Sequence, residues 1–216
     1  MKKTLLIWFV VLLCCFVVST FAHEAAHGVS SQAAGIQVST GFNKIGMPFK
    51  KPSDPDFRTG FSDRNNPWDM GPFATLAIAA VTTAVFVNVK SRDKKLLTVI
   101  GAFALCNSLL RLIPMAHSYF GYITQGGPYL EDEIGNGMAW YALYPAEIMK
   151  YLPSIISIGL SAVCLYFVLK AFGRKFEDIV ETRRSKGMFV LILVMAYIAS
   201  FAIEYVLDNV ARINWV

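Results

Sequence analysis

Leu5-Leu6-Ile7-Trp8-Phe9-Val10-Val11-Leu12-Leu13-Cys14-Cys15-Phe16-Val17-Val18-Ser19-Thr20-Phe21-Ala22-His23-Glu24-Ala25-Ala26-His27 is the stretch on which the fold turns. Eighteen or more apolar residues without a charge are enough to cross a bilayer as a helix. Two histidines and a glutamate stand where this run ends. Four further runs are long and apolar enough to span: Gly71 to Val89, Leu96 to Met115, Leu152 to Leu169 and Met188 to Leu207. Hydrophobic residues make up 55% of the 216 and charged residues only 16%, against about 25% charged in soluble domains. A chain this short cannot hide that much apolar surface from water. The expectation is an all-α polytopic membrane protein of about five transmembrane helices, with a short β-hairpin-like insertion after the first. Residues 1–150 form the core with two outer loops, and residues 151–216 add two more spans.

The net charge of +5 does not point to nucleic acid, because no basic patch is interleaved with aromatics. The basic residues sit in short segments between the spans. Lys2 and Lys3 precede the first; Lys90, Arg92, Lys94 and Lys95 separate the second and third; Arg174, Lys175, Arg183, Arg184 and Lys186 separate the fourth and fifth. If every run crosses, all three segments fall on one side, which the positive-inside rule makes cytoplasmic. The segment from Gly28 to Met70 and the acidic one from Ala116 to Lys150 then lie on the other side. Ile36 to Phe42 alternates as a short strand does, and it offers an edge for strand-like addition of a peptide. Beyond it, Gly46, Pro48, Pro52 and Pro55 break any regular element. Asn65 to Asp69 reads as an interfacial entry into the second span, with Trp68 at headgroup depth. Cys14, Cys15, Cys106 and Cys164 all lie in apolar runs and have no zinc-finger or disulfide spacing. The first run has a second reading, since Lys2-Lys3, an apolar stretch and Ser19-Thr20-Phe21-Ala22 have the shape of a signal peptide.

His23-Glu24-Ala25-Ala26-His27 is an H-E-x-x-H pattern. Helical positions i and i+4 share a face, so both imidazoles can reach one metal ion. Glu24 beside them supplies a carboxylate base for a metal-activated water. Ionisable residues at the end of a membrane span are costly unless they serve something.

The order of the elements resembles the site-2 protease family of intramembrane zinc metalloproteases. Those proteins follow H-E-x-x-H with a hairpin-like segment, a helix opened by Gly-Pro, and a helix that holds Asn and Pro. Here His23 to Gly28 is followed by a strand-like segment, Gly71-Pro72 opens an apolar helix, and Asn107 and Pro114 share the third span. The resemblance covers roughly residues 5 to 135. It implies zinc held by His23, His27 and a downstream acid, with Glu24 as catalytic base and a transmembrane or membrane-associated peptide as substrate. The family's Leu-Asp-Gly after the proline is absent. The acids beyond Pro114 are Glu131, Asp132 and Glu133, and the match implies Asp132 as third ligand, with Glu131 or Glu133 as alternatives. His117, at the end of the third span, is a rival ligand. Asn107 would orient substrate, as the resemblance implies, or join two helices by a hydrogen bond. Arg111 snorkels or pairs with an acid, ahead of any role in stabilising a transition state. Glu204 and Asp208 read as a bland pair near water. The expected site lies near the non-cytoplasmic face. The rival expectation is a non-catalytic metal-binding or structural membrane protein with a degenerate protease fold.

Overall fold

The first apolar run forms a single helix, α1 (Lys2–Ala33), longer than its apolar part. In this computed structural model, which describes residues 2–58, 69–91, 93–125, 131–176 and 183–216, it is the axis of the molecule. It is followed by the strands β1 (Val38–Thr40) and β2 (Ile45–Gly46). Helices α2 (Gly71–Asn88) and α3 (Lys94–Gln125) come next. A shorter helix α4 (Asp132–Leu143) and a 3-10 turn (Glu147–Lys150) lead into α5 (Leu152–Lys175). Helix α6 (Arg183–Val210) and a last strand β3 (Ile213–Trp215) complete the fold. Among the described residues, five helices are long and apolar enough to cross a membrane: Thr4–Ala33, Gly71–Asn88, Lys94–Gly121, Leu152–Lys175 and Ser185–Val210. The protein is a multi-pass membrane protein by this measure.

Aromatic packing closes the bundle at the basic end. The Trp8 ring of α1 lies 5.3 Å from Phe172, 5.1 Å from Phe176 and 5.3 Å from Phe189, tying α1 to the end of α5 and the start of α6. Each such pair contributes about 0.5–1.5 kcal/mol beyond area burial. Lys94 Nζ donates to the Lys175 carbonyl at 2.6 Å, so the starts and ends of neighbouring helices meet there. Below this plug, Leu12, Phe16, Leu105 and Cys106 continue the core. Helix α3 packs on α1, α2 and α5, whereas α6 packs chiefly on α1. A cleft is therefore left between α3 and α6.

Several expectations change in detail. Pro114 does not end the third span: α3 runs on to Gln125, the ring being accommodated within the helix. The acids Asp132 and Glu133 are not in a loop but in the first turn of α4, where negative charge meets the positive end of the helix dipole. Pro145 lies between α4 and the 3-10 turn. The strand at Ile36 to Phe42 shortens to Val38–Thr40, and it is the middle of a three-stranded sheet. β1 pairs antiparallel with β2 (Ser39 opposite Gly46, Thr40 opposite Ile45) and with β3 (Val38 opposite Trp215, Thr40 opposite Ile213). Both of its edges are used, so β1 offers none for addition of a peptide. Residues Asn65 to Trp68 lie outside the described residues.

The sheet is bolted to the end of α6 by one buried pair. Asp208 Oδ1 accepts from the Phe42 amide at 2.6 Å and from Arg212 Nη1 at 3.3 Å. Arg212 Nη2 in turn donates to the carbonyls of Ser39 (2.9 Å) and Lys44 (2.7 Å). Trp215 Nε1 donates to Thr40 Oγ1 at 2.8 Å.

Candidate functional site

His23 and His27 project from one face of α1, as their spacing requires, and both are buried. Their Nε2 atoms are 2.9 Å apart. Asp132, brought in by the first turn of α4, places Oδ2 3.0 Å from His23 Nε2 and 3.5 Å from His27 Nε2. A point about 2 Å from all three atoms exists just out of their plane, and three ligand atoms at these separations match three corners of a zinc tetrahedron.

The other ring nitrogens explain how the imidazoles are held. His27 Nδ1 donates to Asp69 Oδ1 in a very short hydrogen bond. His23 Nδ1 lies 2.9 Å from Thr75 Oγ1, whose own hydroxyl points to the Gly71 carbonyl at 3.4 Å. With a hydrogen on each Nδ1, both Nε2 atoms are bare and turn their lone pairs to the same point as a carboxylate oxygen. Three such acceptors repel one another unless a cation lies between them. The residues present therefore fit a divalent metal, and the carboxylate–imidazole pair is the support that metal-binding histidines normally have.

Neither Asp69 nor Thr75 stood out in the sequence. Asp69 comes two residues before Gly71-Pro72, and Pro72 starts α2 where its missing N–H costs nothing. Gly71 is needed for a different reason: a Cβ built there would run into the His27 imidazole. The start of α2 thus carries Asp69 and Thr75 to the back of the two rings, and Asn136 of α4 donates to the Asp69 carbonyl at 3.4 Å.

Arg111 of α3 organises the acids. It is 4% exposed, with Nη1 3.3 Å from Asp132 Oδ2, Nη2 3.4 Å from Glu131 Oε2 and Nε 3.4 Å from Glu133 Oε1. Its expected pairing with an acid is what the geometry has, threefold. Nη1 also approaches His23 Nε2 at 3.3 Å. Ser157 donates to Glu133 Oε1 at 2.6 Å, locking that side chain against α5. Burial, and then the neighbouring Asp132 charge, push the Glu131 carboxyl up to about 7, against the pull of Arg111. Burial raises the Glu133 carboxyl too. Burial acts the same way on Asp132, but the imidazoles, His27 first, outweigh it when they also carry a hydrogen on Nε2, and they then hold that carboxyl well below the usual range.

Of the alternative ligands, Glu131 and Glu133 cluster with Asp132 but turn to Arg111 instead of the histidines. His117 is exposed on the wall of the adjoining cavity and does not join the His23–His27–Asp132 cluster. Asn107 donates to Ser19 Oγ and to the Phe103 carbonyl, both at 2.9 Å. It joins α3 to α1 one turn before His23, and it is not in the cavity wall.

That cavity measures about 610 Å³ and occupies the cleft between α3 and α6. His23, Glu24, Thr75 and Asp132 form one side, and Ile113 of α3 and Phe201 of α6, both exposed, flank it. Glu24 is 8% exposed and its Oε2 has no hydrogen-bond partner. An orphaned carboxylate oxygen costs about 1–3 kcal/mol or more, and this one belongs to a residue of the cavity wall. No family model, curated protein or solved structure matches the chain.

Proposed function

We propose that this protein is a membrane-embedded zinc metalloprotease that hydrolyses peptide bonds of membrane-associated substrates. The observation that carries this reading is the convergence of His23 Nε2, His27 Nε2 and Asp132 Oδ2 within 3.5 Å of one another, with the unpartnered Glu24 carboxylate in the adjoining cavity. His23, His27 and Asp132 would hold the ion. A bound divalent zinc supplies Lewis acidity to an attacking water and to the scissile carbonyl. Other divalent metals fit the same nitrogens and oxygen.

The protein's own groups do the rest. Asp69 and Thr75 fix the imidazole tautomers. Glu24 takes a proton from the attacking water at its free oxygen and returns it to the departing amine. Arg111 positions Asp132 and offsets the surplus of carboxylates around it. Leu110, Ile113 and Phe201 make the cavity wall apolar, which strengthens every charge interaction inside it, and the exposed Ile113 and Phe201 give a membrane-borne peptide a lateral approach. His23 lies about 28 Å along the axis from Thr4, close to the ~30 Å thickness of the hydrocarbon layer. The site therefore sits at a bilayer edge, and the charge rule assigns that edge to the non-cytoplasmic face.

Metal analysis of the purified protein tests the reading directly. One equivalent of zinc is expected in the wild type and much less in His23→Ala and Asp132→Ala. Glu24→Gln should keep its metal and lose peptide hydrolysis; full activity in that variant rules out the proposed base.

A second reading has its own observation. Arg111 Nη1, 3.3 Å from both Asp132 Oδ2 and His23 Nε2, is a built-in cation at the same atoms. In that reading the cluster is a metal-free ion-pair network in a non-catalytic structural membrane protein. Absence of stoichiometric metal from the wild type would select it.

A further inference from the structure

Among the described residues, Glu204 of α6 is the one acid of the cavity wall that neither the proposed metal site nor Arg111 uses. It is 1% exposed, yet its Oε1 has no hydrogen-bond partner, and no cation among those residues pairs with it. The hydroxyls of Thr20 and Ser200 are within hydrogen-bonding reach of its carboxylate. Each hydroxyl carries a single hydrogen. Thr20 directs its hydrogen to the Phe16 carbonyl at 3.0 Å and Ser200 to the Tyr197 carbonyl at 2.8 Å. Asp208, one turn further on, differs in having a cation: its Oδ1 pairs with Arg212 and accepts from the Phe42 amide, although its Oδ2 is also without a partner.

The one arginine of the cavity wall, Arg111 on α3, is already taken up by Glu131, Asp132 and Glu133, so it leaves Glu204 on the α6 wall without a cation. A carboxylate oxygen held out of water and left unpaired must either take up a proton or meet a positive charge, and a cationic side chain lodged beside it would supply that charge. The space is ample for one long side chain, since ligand pockets run from about 300 to 1,000 Å³.

We infer that Glu204 is a specificity determinant: it receives the ammonium or guanidinium group of a lysine or arginine side chain on the peptide lodged in the cavity between α3 and α6. The inference rests on the protease reading for the identity of the ligand as a peptide. It adds the substrate class, an apolar peptide with a basic residue near the bond that is cut.

The test uses full-length protein in detergent and a fluorescein-labelled apolar peptide of about 20 residues. Lysine, norleucine or glutamate is placed at each central position in turn. Binding is read by fluorescence anisotropy on Glu24→Gln, and cleavage on the wild type. At one or two positions lysine should bind about 10- to 100-fold more tightly than norleucine, the worth of one charge-assisted hydrogen bond, and glutamate least of all. Adding Glu204→Gln should bring the lysine-to-norleucine ratio close to one, and Glu204→Lys should invert the order in favour of glutamate. Equal affinity for lysine and norleucine at every position overturns the inference, whether or not the variants fold. So does a lysine preference that survives Glu204→Gln in protein that still melts like the wild type. If lysine peptides bind in this Glu204-dependent way but no peptide is cut, the subsite stands and the protease reading fails.

Discussion

If His23, His27 and Asp132 hold zinc as proposed, removing Asp69 should weaken that binding without touching any of the three. Its carboxylate is 3% exposed and bonded to His27 Nδ1, whose ring is 4% exposed, so the pair is shielded from water. Loss of such a supporting partner typically costs 10–100-fold in metal affinity, about 1.4–2.7 kcal/mol. Asp69→Ala removes the acceptor altogether and leaves a buried N–H without a partner, so the upper end of that range is expected. Asp69→Asn keeps an oxygen for the hydrogen bond but loses the charge, and should fall near the lower end. Thr75→Val removes the neutral partner of His23 at 2.9 Å and should cost less than tenfold. His27→Ala, which deletes a ligand, should cost most of all. Zinc dissociation constants from competition with a chromophoric chelator give the order, with thermal melts as the check on folding. If Asp69→Ala binds zinc as tightly as the wild type, or no more weakly than Thr75→Val, the tautomer argument for the site is refuted.

Three further outcomes are expected from the packing. Gly71→Ala should expel or tilt the His27 ring, lowering zinc content and costing about 1–3 kcal/mol of stability as overpacking does; melting and metal analysis on one sample check both. Asp208→Ala leaves Arg212 buried without its carboxylate, a loss of about 3–5 kcal/mol, and limited proteolysis should then cut first in the segment between β1 and β2. Asn107→Ala should lose about 1 kcal/mol from one helix contact and His117→Ala almost nothing, with metal stoichiometry unchanged in both. A metal-depleted His117→Ala protein would move that histidine into the site.

The membrane spans were legible because length and apolarity are local properties of a run, and they came out within a few residues. His23, Glu24 and His27 were legible because one helix fixes their spacing. Asp132 depended on the order of distant elements. Glu131 and Glu133 are sequence neighbours of Asp132 and chemically equivalent to it, and only the path of α4 decides which carboxylate meets the imidazoles. Asp69 hid in a segment read as a membrane entry, because nothing local couples it to a histidine forty-two positions away. β3 is three residues long, too short for any alternation to declare it, and its partner precedes four membrane spans. Glu204 and Asp208 looked alike in sequence, one turn apart. They differ because Arg212 lies one turn after Asp208 and no cation lies one turn from Glu204.

The pairing of β1 with β3 has a consequence for how the molecule is made. The histidine-bearing helix and its following strand are made before their partner, so the second flank of that strand stays bare until the last helix and the residues after it are in place. Until then Arg212 cannot reach the Ser39 and Lys44 carbonyls, and Glu204 is not yet in the cavity wall. The chamber is therefore assembled last, so a half-made chain carries the two imidazoles without the opposite wall of the cavity.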